Sequence, residues 1–546
     1  MKNVTNFLKH EKIIFAAWNA ENQNDNPYQN WYLPLRDTFG KVIVFDTASQ
    51  YFRYGKQEMN HQLKELIKKE NPNYLFLLMI YDEIDPLILQ HFQSIAPKMI
   101  ILSLFPDDDW RYEDYSRYYG LFIHYPIINI TDKNMERFYV KDDIRHFSLS
   151  LGMNCSLFRP LDLEKKYDVS FVGRPNASRA DYVGFLLEKK VKINVWGDGW
   201  QNYPKIASAY SGNASADDLV RITNQSKINL SFTQGGYGKM QMKGRVFEIS
   251  ACRGFSLVEN FETYADYFKK GKELVMFKDK DELLSLIYYY LKHEKERENI
   301  ASAAHLRTLR DYNKHRELLK YFQSILTAKN ELLGKRLPHV GKVAVIHSED
   351  INNEKKIKNI LGEAEYVAFS SDAQSHPLQH YLQAYALEKT GKAISCCDYY
   401  VSAKGLPNYI LFKAKQAFMR LNRNDFARAI KISQLVVRKK YFLQYRKKFQ
   451  EALQGKSFPL DERTVTFVSL PLLSVKELPA LSPEAFRNAF QMKCLDALYS
   501  LYYQKKLLLR PYPYFLALKA ILNSTIRKAL IENIDRKKLA KLKQGI

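Results

Sequence analysis

The sequence predicts an α/β chain with two parallel-sheet domains in tandem and an α-helical C-terminal region. Three observations predict it. Short apolar runs alternate with amphipathic helices through the first 330 of the 546 residues. Those runs are apolar throughout instead of alternating, as expected of strands covered on both faces. Beyond Gly334, two strand-like runs give way to helical spacing.

In the first region, Ile13–Ala17, Val42–Phe45, Tyr74–Ile80 and Met99–Leu104 read as buried strands, and His61–Lys69 as a helix between two of them. This is a Rossmann-like domain spanning 1–160. A second alternation follows in Val169–Val172, Ile193–Trp196, Ile228–Phe232, Phe255–Val258 and Leu274–Phe277. A helical stretch from Lys280 to about Lys329 closes this second Rossmann-like domain, 161–330. Two such domains closed by helices that cross back give the GT-B type architecture. Its reactive cleft lies outside the carboxyl ends of the strands.

In 331–450, Val343–His347 and Tyr366–Phe369 read as short strands. His380–Lys389 and Ala393–Ala403 then read as one helical hairpin, and Phe412–Leu421 and Asp425–Val437 as another. Small residues (Ala384, Ala393, Ala417, Ala429) recur where helices would cross, which resembles tetratricopeptide-like hairpins. Residues 451–546 read as a basic helical tail.

The net charge is +24. From Glu331 onward Lys and Arg outnumber Asp and Glu by 37 to 18, so most of the excess lies there. A basic amphipathic tail, Tyr499 to Ile546, can lie on anionic lipid. No zinc-finger, RRM or helix-turn-helix signature accompanies the charge, so no nucleic-acid partner is expected. The five cysteines are scattered and lack zinc-ligand spacing, so buried thiols are expected and no metal site. No signal-like segment opens the chain, and no run of about 18 apolar residues occurs. The expected location is the cytoplasm, with peripheral contact to the inner face of the membrane.

The chemistry concentrates between Asp168 and Glu259. A glycine turn after a strand, Val172-Gly173-Arg174, brings backbone N–H groups and a guanidinium to where phosphate oxygens bind. Arg179, Lys243 and Arg245 are further cations for a diphosphate. Gly235-Gly236-Tyr237-Gly238 offers an N–H-rich loop. Asn229, read as lying at a strand end, is a candidate for the base or phosphate. Glu248, early in a helix, suits the hydroxyls of a ribose.

The span from about Tyr167 to Phe322 resembles the bacterial glycosyl transferases group 1 family, in its spore-maturation CgeB-like branch. The resemblance rests on Phe171-Val172-Gly173 with Arg179 downstream, Val195-Trp196-Gly197-Asp198-Gly199-Trp200, Ile228-Asn229-Leu230-Ser231-Phe232, Arg245-Val246-Phe247-Glu248 through Gly254-Phe255, Glu273-Leu274-Val275, the Tyr288–Leu291 helix and Arg316. It implies transfer of a sugar from a nucleotide-diphosphate sugar, a UDP-sugar first, without a bound metal or other required cofactor. It aligns Glu248 with the family's ribose-binding acid. Retaining members often carry a second glutamate upstream; Met240 stands at that position here, with Gln241 beside it. Retention and inversion therefore both stay open.

For the acceptor side, Asp107, Asp109 and His124 are candidate bases, and the loop Asn19 to Trp31 is expected to line the acceptor cleft. The acceptor is a surface protein or a lipid-linked glycan. A nucleotide-sugar-binding scaffold without turnover is the alternative that Met240 allows.

Overall fold

The computed structural model describes residues 2–234, 240–370, 374–403, 406–420, 432–453, 463–475 and 490–492. The first sheet contains β1 (Lys12–Ala17), β2 (Lys41–Asp46), β3 (Tyr74–Leu78), β4 (Ile100–Phe105), β5 (Tyr125–Asn129) and β6 (Ser148–Ser150). They run parallel in the order 2-1-3-4-5-6. Every residue of β3 and β4 is buried, as their unbroken apolar sequences require. The second sheet contains β7 (Tyr167–Val172), β8 (Ile193–Trp196), β9 (Ser226–Ser231), β10 (Ser256–Glu259) and β11 (Val275–Phe277), parallel in the order 11-10-9-7-8. The tandem parallel sheets therefore match the α/β expectation.

The helix Lys314–Thr327 follows the second sheet in sequence but packs on the first. Its Leu318, Tyr321, Phe322 and Ile325 join the core of β1, β3 and β4. Phe322 meets Phe39 and Tyr74 edge-on, at 4.9 and 5.1 Å between ring centres. The chain therefore crosses between the two sheet domains twice, and the crossings touch. The Met153 N–H donates to Tyr312 O at 2.8 Å, and the Lys314 N–H to Met153 O at 2.9 Å.

A buried ion pair clasps this crossing. Lys314 Nζ lies 2.6 Å from Glu317 Oε2 and donates to Ser150 Oγ at 2.8 Å. Glu317 Oε1 accepts the N–H groups of Leu151 and Gly152, both at 2.8 Å. A Cβ on Gly152 would stand 2.7 Å from Glu317 Oε2, so this position admits no side chain without displacing the carboxylate. Burial alone would raise the Glu317 carboxyl, but the Lys314 ammonium and the hydrogen bonds hold it below its usual range.

The region after Gly334 corrects the sequence reading. The helix Gln379–Thr390 is present and ends at Gly391 in the left-handed region, with φ of 68°. The expected second helix, Ala393–Ala403, is instead a strand, Ile394–Ala403. It pairs antiparallel with Leu406–Phe412 and Leu435–Arg438, and parallel with Val465–Val475. Val343–His347 and Tyr366–Ser370 are strands as expected and complete one side of this third, mixed sheet. Ile394, Tyr399 and Val401 favour a pleated surface, and paired neighbours on both sides satisfy the backbone. Among the described residues of the second expected hairpin, Ala414–Arg420 is a helix and Leu435–Val437 lie in a strand. The stretch 421–431 and the basic tail Tyr499 to Ile546 lie outside the described residues.

The third sheet docks on the helical face of the first domain, where one continuous apolar cluster runs through both. His376 Nε2 meets Asp85 Oδ1 at 3.0 Å, and Lys415 Nζ meets Asp114 Oδ1 at 3.2 Å. Among the described residues, no helix is long and apolar enough to cross a membrane.

Glu317→Ala would leave a buried ammonium unpaired and two backbone N–H groups without their acceptor. We expect a stability loss of about 3 kcal/mol or more, read as a lower urea midpoint. An unchanged midpoint contradicts the clasp.

Candidate active site

In each parallel sheet the strand order reverses once, between β1 and β3 and between β7 and β9. Loops leave such a point in opposite directions and open a crevice at the carboxyl ends of the strands. Here the two sheet domains meet around a cavity of about 310 Å³. Asn30, Pro106 and Asn129 line it from the first domain, and Met242, Lys243 and Gly244 from the second.

The second-domain wall carries the cations. Arg174, exposed, follows β7 directly. Arg179, in the first turn of the helix Ala177–Glu188, donates from one terminal nitrogen to Arg174 O at 2.7 Å and from the other to Gln234 O at 3.3 Å. Its Nε is buried and has no hydrogen-bond partner among the described residues. Burial pulls the Arg179 guanidinium below its usual range, Glu259 opposes this, and neighbouring Arg245 adds to it. Burial also lowers Lys243, and Arg179 pushes it the same way. Arg179 therefore lies within electrostatic reach of both Lys243 and Arg245. Glu259 makes its own hydrogen bonds: its Oε2 accepts the N–H and hydroxyl of Thr233 and the N–H of Gln234.

Arg245 and Glu248 sit on the helix Gly244–Ala251, three positions apart and therefore on one face. They form an ion pair of 2.7 Å with both side chains partly exposed. The bond joins one terminal nitrogen of Arg245 to Glu248 Oε2. Arg245 keeps further N–H groups, and Glu248 its Oε1.

The first-domain wall carries carboxylates. Asp107 and Asp109 follow β4, as expected, and reach the crevice. Asp109 Oδ2 accepts from Gln241 Nε2 at 2.9 Å, and Gln241 Oε1 accepts from Lys243 Nζ at 2.7 Å. Gln241 thus bridges the two domains. Burial raises the Asp107 carboxyl; Arg111 opposes this, Asp109 adds to it, and Lys243 opposes it. Asp25, in the loop after β1, is likewise raised by burial. The Asn19 and Asn22 side chains oppose this, as does Arg174 from the other wall.

Three sequence expectations, for His124, Asn229 and Gly173, are corrected here. His124 is 5% exposed and lies at the opposite end of the sheet. It precedes β5, where its Nδ1 accepts the Ile101 N–H at 2.9 Å, and burial drops its pKa to about 4. Asn229 lies within β9 and not at its end; its Oδ1 accepts from Ser170 Oγ at 3.0 Å inside the domain. The Gly173 N–H is spent on Trp196 O at 2.9 Å, so it is not offered to a phosphate. Gly197 permits the close approach of the two turns, because a Cβ on it (φ +133°) would stand 2.5 Å from Gly173 O. Asp108 of the acidic run turns inward, 1% exposed, and accepts from Ser116 Oγ and Tyr139 Oη. Gly235 and Gly236 lie outside the described residues.

Sequence reasoning did not single out Asn30, Lys314, Glu317 or Glu259. Asn30 falls within the loop Asn19 to Trp31 that was expected at the cleft; the others carry no local signal, because their partners are distant in the chain.

Residues 179–322 match the family model described as glycosyl transferase-like. The match covers the second sheet domain from the helix after β7 onward. No curated protein matches the chain significantly. Among solved structures, the chain is similar to Anabaena Alr3699/HepE in complex with UDP and glucose, at 12% identity over 59% of this chain and 100% of that one, with a TM-score of 0.41. It is similar to a glycosyltransferase from Rickettsia africae, at 13% identity over 60% of this chain and 100% of that one (TM-score 0.42). Sucrose-phosphate synthase from Thermosynechococcus elongatus is similar at 10% identity over 58% of this chain and 100% of that one (TM-score 0.44). The matched segment contains Arg179, Lys243, Arg245 and Glu248, and Arg174 lies just before it.

Burial raises the Asp108 carboxyl to about 7, with Ser116 and Tyr139 partly opposing. The folded chain therefore holds a proton there that the unfolded chain, with a pKa of about 4, releases. Stability from this group falls as pH rises from about 4 to about 7. Asp108→Asn removes that slope, so its urea midpoint should decline less than wild type across the window. Parallel profiles contradict the buried carboxyl.

Proposed function

We propose that the chain is a glycosyltransferase that moves a sugar from a nucleotide-diphosphate sugar to an acceptor held against the first domain. One observation carries this reading: Arg179 lies within electrostatic reach of both Lys243 and Arg245 inside the segment that matches the glycosyl transferase-like model, and its buried Nε has no hydrogen-bond partner among the described residues. Burying like charges together is costly, and an anion relieves it.

Breaking the bond between the sugar and the diphosphate builds negative charge on the leaving oxygens. In this reading Arg245, Arg179, Lys243 and Arg174 take up that charge, and no metal is required. Glu248, anchored by Arg245, holds the ribose hydroxyls through its remaining oxygen. Asp107 or Asp109, across the crevice, takes the proton from the acceptor hydroxyl. Burial suits Asp107 to this, since a raised carboxyl is a better proton acceptor near neutral pH. The acceptor is a surface protein or a glycan, and a UDP-sugar is the donor to test first.

A melting scan against nucleoside diphosphates and their sugars should show stabilisation by the true donor, since a ligand bound only by the folded form raises the melting point. Arg245→Ala should lower turnover by roughly 10²-fold or more with its own melting point retained. Glu248→Ala should weaken nucleotide affinity by about tenfold in calorimetry. A wild-type rate in the first variant, or wild-type affinity in the second, removes that residue's role.

A further inference from the structure

The third sheet carries a basic surface that the transfer reaction does not use. The segment from Arg438 to Gln450 contains six Lys or Arg and no Asp or Glu. It forms two short helices, Lys439–Gln444 and Arg446–Leu453, separated by Tyr445 alone. Phe442 and Phe449, seven positions apart, are fully buried and meet Phe369 of the sheet at 5.9 and 5.4 Å between ring centres. That spacing turns Lys440, Leu443, Lys447 and Lys448 outward, and all four are exposed.

The helix Glu354–Leu361 lies beside this segment and antiparallel to it. Arg446 and Gln450 donate to Ile351 O, just before that helix, at 3.1 and 3.2 Å. Lys439 Nζ donates to Gly362 O, just after it, at 2.8 Å. The helix adds Lys355 and Lys358, both exposed. Its acids are engaged: Glu354 stands 3.7 Å from Arg446, and Asp350, before the helix, stands 2.6 Å from Lys356. Lys355, Lys358, Lys440, Lys447 and Lys448 form no ion pair among the described residues. Leu443 is 51% exposed in the middle of this lysine stripe. A soluble polyanion would satisfy the lysines and leave the leucine in water. A bilayer surface offers headgroup phosphates to the lysines and an apolar boundary to the leucine.

We propose that this pair of helical segments docks on an anionic lipid bilayer, with Lys440, Lys447 and Lys448 at the headgroup phosphates and Leu443 at the acyl boundary. None of these residues lines the interdomain cavity, and all lie beyond the matched segment 179–322. The inference does not depend on the glycosyltransferase reading.

The test is co-sedimentation of the full chain with vesicles of phosphatidylglycerol and phosphatidylcholine in equal parts, against phosphatidylcholine alone. Wild type should sediment with the first and not with the second. Lys440→Gln, Lys447→Gln and Lys448→Gln combined should weaken binding by roughly tenfold or more. The same loss of charge on the second domain, Lys269→Gln, Lys270→Gln and Lys272→Gln combined, should leave it within about twofold, because salt screens distant charges. Leu443→Ser should weaken it by roughly fivefold, a loss that a purely ionic partner would not register. All these side chains are exposed, so each variant should keep the wild-type melting point. No sedimentation of wild type with the anionic vesicles overturns the proposal. So does equal loss in the two triple variants, which would reduce the effect to net charge, or unchanged binding in the first of them. Competition by heparin or duplex DNA, together with wild-type binding by Leu443→Ser, assigns the surface to a soluble polyanion and overturns the lipid assignment.

Discussion

The Lys314–Glu317 pair decides how the two sheet domains face each other. The chain leaves the first domain through 151–158 and returns through 312–314, and these two passages are bonded to one another. Glu317 gathers the N–H groups of Leu151 and Gly152, while Lys314 holds Ser150 at the end of β6. A buried pair of charges is a poor source of net stability but a strong source of geometric uniqueness, since any other arrangement strands a charge away from water. The crevice walls, the Asp109–Gln241–Lys243 bridge and the cavity lining are all set by that clasp. The ammonium that closes the hinge also forms part of the cavity.

The crevice is electrostatically divided. The second domain presents guanidinium and ammonium groups, and the first presents carboxylates that burial makes more basic. Gln241 is the neutral contact between them, donating to Asp109 and accepting from Lys243. This division suits a reaction in which charge leaves towards one side and a proton leaves towards the other. In the Arg245–Glu248 pair each charge steadies the other and retains further hydrogen-bonding capacity.

Local pattern recovers some elements and misleads on others. The strands of both parallel sheets were legible because full burial demands unbroken apolar runs. Arg245 and Glu248 were legible through the Arg245-Val246-Phe247-Glu248 motif that carries the family resemblance, and the helix then puts them on one face. Ala393–Ala403 was misread because small residues near a glycine turn suit a helix crossing as well as a strand. Its pairing partners, Leu435–Arg438 and Val465–Val475, lie far along the chain. His124 fails as a candidate base by register: β5 begins at Tyr125, so the imidazole stands before the strand, at the edge of the sheet away from the crevice.

By itself, the sequence determined that two parallel α/β units follow one another and that a cationic helix start with an acid three positions on belongs to the second. Those properties are written in short-range spacing, where burial and helix periodicity act residue by residue. Tertiary structure alone decided which cations share a wall, that Asp108 turns inward while its neighbours face the crevice, and that the helix Glu354–Leu361 lies beside the basic segment from Arg438 to Gln450. Each of these depends on groups brought together across long separations, and hydrogen-bond satisfaction and desolvation exist only once those groups have met.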